Sequence, residues 1–371
     1  MKTSEDTLFP QSSRSDAPGP DASGPTSSQS TTDPDSVRDK LGRGLTDLRI
    51  SVTDRCNFRC TFCMPAHQKY KFLPRPQILT FEETIRIARL FVGLGVRKLR
   101  LTGGEPLLRS EIELLIRGLA DLDGVEDIAL TTNAYLLEDR APALVDAGLD
   151  RVTVSLHSLD PETFGRINGL NLPLEKVLKG IDAAVAAGLG PVKLNVVVIQ
   201  GTNDHEIVDL ARFGRDHGCV VRFIEYMDVG TVNSWDPDKV ISARQIVDRV
   251  SEVFPVEPVG KVNPEDVADR YRYADGQGEI GVITSVTQPF CGDCTRARLS
   301  AEGRVFTCLF SAVGHDLKTP LRDGEDDQAL EERIRNIWRL REDRYSEERT
   351  AALQAGRFVP ADKIEMFRIG G

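Results

Sequence analysis

The stretch Leu48-Arg49-Ile50-Ser51-Val52-Thr53-Asp54-Arg55-Cys56-Asn57-Phe58-Arg59-Cys60-Thr61-Phe62-Cys63 opens as an apolar, β-branched run and ends in three thiols. Its first six residues have the composition of a buried strand. Five more runs of this kind follow, at 98–102, 127–132, 151–156, 192–199 and 220–226. Helix-like segments separate them. Thr80 with Glu83, Ser110 with Glu113 and Asn203 with Glu206 have the spacing of capping boxes, and Asp160-Pro161 sets an N-cap residue before a first-turn proline. Gly93, Gly95, Gly148, Gly188, Gly190 and Gly218 fall where helices would end. Six strand–helix units in succession predict a parallel sheet, wound as a barrel or doubly wound.

Outside these units the rhythm changes. Residues 1–36 are dominated by Ser, Asp, Pro, Gly and Thr, too polar to offset the entropy cost of ordering, so a disordered leader is expected there. Beyond the sixth run a helix is expected at 242–254, short strands at 271–273, 279–285, 297–300 and 304–306, a helix at 331–340, and then a loose, charged tail. The expected organisation is therefore a leader (1–36), a barrel portion (37–235) and a C-terminal extension (236–371) that is not a seventh and eighth barrel unit.

Composition narrows the function. The 371 residues are 40% hydrophobic and 28% charged, enough for a real core. With 47 Lys and Arg against 57 Asp and Glu, the net charge of −10 argues against bulk binding to nucleic acid or anionic membrane. No apolar run approaches the roughly 18 residues of a membrane span. The first residues lack the basic-then-apolar order of a secretory signal, so a reducing cytoplasm is expected, where metal explains seven cysteines better than disulfides do.

The six strand ends share a pattern. They run into Cys56, Cys60 and Cys63, into Thr102-Gly103-Gly104-Glu105-Pro106, and into Thr131-Thr132-Asn133. The later ones carry Ser155 with His157 and Ser158, Lys193 with Asn195, and Arg222 with Glu225 and Met227. Ligands in parallel α/β folds bind at that edge of the sheet. Cys56-x3-Cys60-x2-Cys63 lacks the four donors of a structural zinc, and only His67 could supply a fourth locally. Three thiolates suit a four-iron, four-sulfur cluster with one iron open. Cys291, Cys294 and Cys308 form a second triad, which a distant residue could still complete as a zinc site. Cys219 is left over and reads as a small buried hydrophobe. Arg100 lies inside an apolar strand, where an unpaired charge is costly, and so points to an anion; Arg222 follows by the same reasoning.

The Cys56–Cys63 loop, with Phe62 before the last thiol, resembles the signature of radical S-adenosylmethionine enzymes, as does Gly103-Gly104-Glu105-Pro106. Leu48–Cys60, Arg222-Phe223-Ile224-Glu225-Tyr226-Met227-Asp228-Val229-Gly230, Cys294-Thr295-Arg296-Ala297-Arg298-Leu299-Ser300 and the closing Gly370-Gly371 resemble the GTP 3′,8-cyclase family of molybdenum cofactor biosynthesis. The likeness runs from about Asp39 to the last residue.

The resemblance implies an incomplete (βα)6 TIM-type barrel with a C-terminal extension closing the open side. It implies two [4Fe-4S] clusters, one on Cys56, Cys60 and Cys63 and one on Cys291, Cys294 and Cys308. S-adenosyl-L-methionine would meet Phe62, Gly104, Ser155 and Met227. GTP would meet Arg49, Arg100, Thr131, Lys193, Arg296, Ala297 and Arg298, with its guanine on the second cluster, and the tail glycines Gly370 and Gly371 would reach the reaction site. The implied reaction removes H3′ of the ribose with a 5′-deoxyadenosyl radical, joins C3′ to C8 and ends in a reduction. The implied partners are an external electron donor, a second copy of the chain and a downstream synthase making cyclic pyranopterin monophosphate. His157 departs from the family, which usually has an acidic residue there. Two other readings fit part of the pattern: a peptide-modifying radical enzyme with an auxiliary cluster, and a zinc-stapled binding module.

Overall fold

The computed structural model describes residues 37–358 and 362–370; the leader 1–36 and Gly371 lie outside them, and with them the expectations made for both. Six parallel strands form as the apolar runs predict: β1 (Asp47–Ser51), β2 (Lys98–Thr102), β3 (Asp127–Thr132), β4 (Arg151–Ser155), β5 (Lys193–Val198) and β6 (Val220–Glu225). Each pairs with the next in parallel register. Their outward side chains pack against the intervening helices, so that Leu48, Leu99, Leu101, Leu130, Val152, Val154, Leu194 and Val221 are almost wholly buried. Their inward side chains are left to line the mouth of the barrel.

The C-terminal strands are β7 (Val256–Pro258), β8 (Asp269–Tyr273), β9 (Glu279–Ile283), β10 (Arg296–Leu299), β11 (Arg304–Phe306) and β12 (His315–Asp316). As expected, they are not βα units. Two of them nevertheless join the parallel sheet, β9 beside β6 and β10 beside β1. The rest are antiparallel, giving the open order β12-β11-β10-β1-β2-β3-β4-β5-β6-β9-β8-β7. The architecture is thus a partial TIM-type barrel whose sheet does not close, with both edges extended by the C-terminal part.

Local signals held unevenly. Thr80 and Glu83 form a reciprocal capping box on helix Phe81–Gly93, and Asp160 caps helix Pro161–Asn168. Ser110 and Glu113 do not; Glu113 is taken by Arg140 at 2.5 Å. Nor does Asn203 cap with Glu206. The Glu206 carboxylate accepts instead from the Ser158 hydroxyl (2.7 Å) and from the Leu159 and Asp160 amides, holding the turn that follows β4.

The tail is not loose. Helix Tyr345–Gln354 and the short helix Met366–Ile369 both dock, burying Arg349, Phe367 and Ile369. Their anchor is Asp228, just past β6. It accepts from Arg349 and from the Tyr345 hydroxyl, each at 2.5 Å, and pairs with Lys363. Two of the tail's charges, Arg349 and Lys363, are thus its attachment.

Candidate functional site

The inner face of the sheet lines a cavity of about 600 Å³ that runs the length of the strands, from Asp47, Lys98, Arg151, Lys193 and Val220 at their N-terminal ends to Thr102, Thr132 and Ser155 at their C-terminal ends, so that Lys193, expected at a C-terminal strand end, is instead the first residue of β5. One wall is the barrel mouth; the other is made by residues 262–310, 341–346 and 366–367 of the C-terminal part. All six triad cysteines line it, and so do Arg49, Arg100, Thr131, Lys193, Arg222, Arg296 and Arg298. Phe62, Gly104, Ser155, Met227 and His157 line it as well. Ala297 does not. It points the other way from Arg296 and Arg298 and is fully buried in the apolar core, leaving only its backbone for a ligand.

The first triad sits in the loop after β1. The loop is pinned by the Gly103-Gly104 turn after β2, where the Gly104 amide donates to the Thr53 carbonyl at 2.7 Å and the Glu105 amide to that of Arg55 at 2.8 Å. A Cβ on Gly104 would overlap the Arg55 carbonyl, so this glycine is required by the approach of two loops. Glu105 is buried and accepts from the Leu107 amide, the Thr132 hydroxyl and the Asn133 amide, tying the ends of β2 and β3 together. Burial pushes its carboxyl up to about 7, against those hydrogen bonds. Burial and the nearby Glu105 push the Cys56 thiol up to about 12, and burial drives Cys60 and Cys63 upward too.

The second triad is held differently. Cys294 sulfur accepts from Arg296 at 3.1 Å. Burial opposes its charge, but Arg296 and Arg341 overcome that and bring the thiol down to about 6. The Cys294 carbonyl accepts from Arg341 (2.6 Å) and the Cys291 carbonyl from Arg43 (2.8 Å). Asp39 bridges the two arginines, 2.6 Å from Arg43 and 3.4 Å from Arg341, with all three side chains at most 2% exposed. Cys308 lacks such help and is pushed up to about 12, burial being the main cause.

No disulfide forms among the seven cysteines, and Cys219 is buried apart from both triads, as its sequence context predicts. Among the described residues no three Cys, His, Asp or Glu side chains converge as the ligands of a single ion do. All six triad cysteines instead line the cavity, three to each set. That donor set fits a cluster of several irons, each bound by one thiolate.

The same cavity holds a group of cations that outnumbers the carboxylates acting on it, Asp47 on Arg49, Arg100 and Arg298, Asp127 on Arg100, and Asp266 on Lys193 and Arg222. The Nε atoms of Arg49 and Arg100 are buried without hydrogen-bond partners. Arg100 and Arg222 both reach the Thr153 hydroxyl at 3.3 Å, and Arg222 also donates to Asn195 at 3.0 Å. Burial first, and the neighbouring arginines second, lower Lys193 to about 8, Arg222 to about 9 and Arg298 to about 10. Arg49 and Arg100 are lowered as well, chiefly by burial. Buried like charges of this kind are tolerated when an anion completes them.

At the opposite end, Phe62 is buried against Ile167, Ile199 and Tyr226, and Met227 packs on the Ile224, Ala268 and Ile283 group. The tail closes this side. Arg298 donates to the Gly370 carbonyl, and a Cβ on Gly370 would overlap Thr102. Sequence reasoning missed Asp39, Arg43, Arg341 and the Asp228 anchor: Asp39 and Arg43 are four residues apart, but Asp39 meets Arg341 only 302 residues on, Arg43 meets Cys291 248 residues on, and Tyr345 and Arg349 lie 117 and 121 residues beyond Asp228.

The chain matches two family models. Residues 50–214 match the radical SAM superfamily, and residues 219–347 match Molybdenum Cofactor Synthesis C. A protein of Acidothermus cellulolyticus named GTP 3′,8-cyclase is 53% identical over 342 residues, covering 90% of this chain and 94% of that one. A protein of the same name from Staphylococcus saprophyticus is 47% identical over 339 residues, covering 90% and 99%. Among solved structures, Streptococcus suis SuiB bound to S-adenosylmethionine superposes with a TM-score of 0.55 at 16% identity, over 83% of this chain and 68% of that one. That likeness bears on the fold alone. Among the described residues no helix is long and apolar enough to cross a membrane.

Proposed function

The chain belongs to the GTP 3′,8-cyclase family, and from that premise we infer that it converts GTP to (8S)-3′,8-cyclo-7,8-dihydroguanosine 5′-triphosphate, the first step of molybdenum cofactor biosynthesis. The observation that carries the assignment of roles is that two three-thiol sets and a buried group of cations share one cavity.

Cys56, Cys60 and Cys63 hold a [4Fe-4S] cluster whose fourth iron is left for S-adenosylmethionine. When bound there, these two would supply a one-electron reduction and, from it, a 5′-deoxyadenosyl group able to abstract a hydrogen atom such as H3′. Phe62 and Met227 provide an apolar bed for the adenosyl group, Ser155 a hydroxyl, and the Gly103-Gly104 turn a backbone that comes close to the ligand. Cys291, Cys294 and Cys308 would hold a second cluster, which would offer a binding position for the guanine of GTP. Arg49, Arg100, Lys193, Arg222, Arg296 and Arg298 gather a triphosphate of about four negative charges, with Thr131 as a hydroxyl donor. Ala297 contributes backbone only. Arg298 is held toward the substrate by Gly370, and the role of Gly371 rests on the resemblance.

The division near residue 235 then separates the two thiol sets, the first before it and the second after it, while the cations for the nucleotide come from both sides: Arg49, Arg100, Lys193 and Arg222 before it, Arg296 and Arg298 after it. By fixing both reactants in one enclosed space, the protein makes the attack intramolecular and keeps water from the radical. An external electron donor, a homodimer, a downstream cyclic pyranopterin monophosphate synthase and a cytoplasmic location complete the proposal.

Calorimetric titration of the anaerobic, iron-loaded protein with GTP tests it. Saturable binding with about eight irons per chain is expected. Iron-loaded protein that ignores GTP would favour a peptide-modifying enzyme, and colourless zinc protein would favour a binding module.

A further inference from the structure

Strand β4 and the residue pair after it turn alternate side chains to the cavity, so Ser155 and His157 stand on one inner face, two positions apart. His157 is only 7% exposed. Its ring packs edge-to-face on Phe62, with centroids 5.0 Å apart at 89°. The Val197 amide donates to its Nδ1 at 3.2 Å. That nitrogen is therefore a bare acceptor, and the ring proton of the neutral imidazole sits on Nε2. Burial pushes the imidazole down to about 4, in keeping with a neutral ring. Among the described residues nothing accepts from Nε2, and the ring lines the cavity beside Phe62. The donor is not shut away in the core: the ring faces the cavity, where an acceptor on a bound molecule can meet it.

We propose that His157 donates a hydrogen bond through Nε2 to an acceptor atom of the adenosyl group of S-adenosylmethionine, a ribose oxygen or an adenine ring nitrogen. The proposal rests on the reading that places this molecule beside the first triad. It gives this chain a neutral donor where its family usually carries an acidic side chain. His157 is then a ligand-binding residue whose Nδ1 faces β5 and whose Nε2 faces the ligand.

The two nitrogens can be separated. His157→Asn keeps an acceptor near the Nδ1 position for Val197 and removes the far donor. His157→Gln places an amide N–H near the Nε2 position. The probe is S-adenosylhomocysteine, titrated calorimetrically into anaerobic, iron-loaded protein, with L-methionine and GTP as controls that lack the adenosyl group. His157→Asn is expected to weaken S-adenosylhomocysteine binding about tenfold. His157→Gln should stay within about threefold. Methionine affinity, GTP affinity and iron content should be unchanged in both.

Wild-type affinity in His157→Asn overturns the proposal, as does a parallel loss of methionine and GTP binding in both variants, which marks a structural role. Should the Asn variant alone be misfolded, the Gln variant decides, and a tenfold loss in it contradicts the assignment. Iron-loaded wild-type protein that binds methionine but not S-adenosylhomocysteine overturns the placement of the ligand itself, and the inference falls with it.

Discussion

Cys56, Cys60 and Cys63 come from one eight-residue loop, whereas Cys291, Cys294 and Cys308 are gathered from both sides of β10 and β11. The first triad is positioned by neighbours close in the fold of the barrel, the turns after β1, β2 and β3. Its surroundings are apolar and acidic, and all three thiols are pushed upward. The second is positioned by a buried ion network that joins Asp39 and Arg43, ahead of the barrel, to Arg341, near the end. Its surroundings are cationic, and Cys294 is brought down. A radical source can thus be built from a contiguous motif, while the site for an anionic substrate needs charges drawn from the whole chain.

The largest expected effect comes from breaking the second triad alone. Cys308→Ala should abolish cyclised product, lower iron from about eight to about four per chain and leave reductive cleavage of S-adenosylmethionine intact. Product analysis beside 5′-deoxyadenosine release checks this, and normal product yield would remove the second triad from the substrate site. Next is Asp39→Asn, which leaves Arg43 without its carboxylate and Arg341 with only Asp343, at 3.5 Å. Breaking a buried pair of this kind costs about 3–5 kcal/mol. Denaturant melts should show that loss, and iron assays a preferential loss from the second site.

Asp228→Asn tests the tail anchor, at the low end of the same range, about 3 kcal/mol, because Lys363 keeps its bond to the Asp228 carbonyl. Burial opposes the Asp228 charge, but Arg349, Lys363 and Tyr345 outweigh it and hold the carboxyl below its ordinary value. A lowered folded-state pKa adds stability that is complete above the unfolded value. The advantage of wild type over Asp228→Asn should therefore be constant above about pH 4 and shrink as the pH falls through the lowered value. Melts across that range check it; a gap that closes at neutral pH would refute it. The smallest effect belongs to Cys219→Ser, a change at a buried cysteine that lies in neither triad. Iron content and product should be unchanged, with a stability loss of about 1 kcal/mol or less.

The barrel was legible because each of its strands is an apolar run between caps and glycines, a signal contained in a dozen residues. The pairing of β9 with β6 and of β10 with β1 was not, since nothing in 279–283 or 296–299 announces a neighbour so far back in the chain. Carboxylates misled at the helix starts. Glu113 and Glu206 have capping-box spacing, yet a guanidinium and a buried turn offer them stronger partners than an exposed helix end. The same holds in the tail for Arg349 and Lys363, whose charges suggested solvent and in fact bind Asp228. Of the candidate site residues, the thiols and inward arginines stood out by type and spacing. Ala297 did not separate from its flanking arginines because alternation along β10 is visible only once its two faces are known.

The central claim is that each triad leaves one iron of its cluster open, the first for S-adenosylmethionine and the second for GTP. Electron paramagnetic resonance of the reduced, oxygen-free protein, titrated with each molecule separately, tests it most directly. The account predicts two cluster signals, one altered only by S-adenosylmethionine and the other only by GTP. A single signal, or a second signal that GTP leaves untouched, would contradict it.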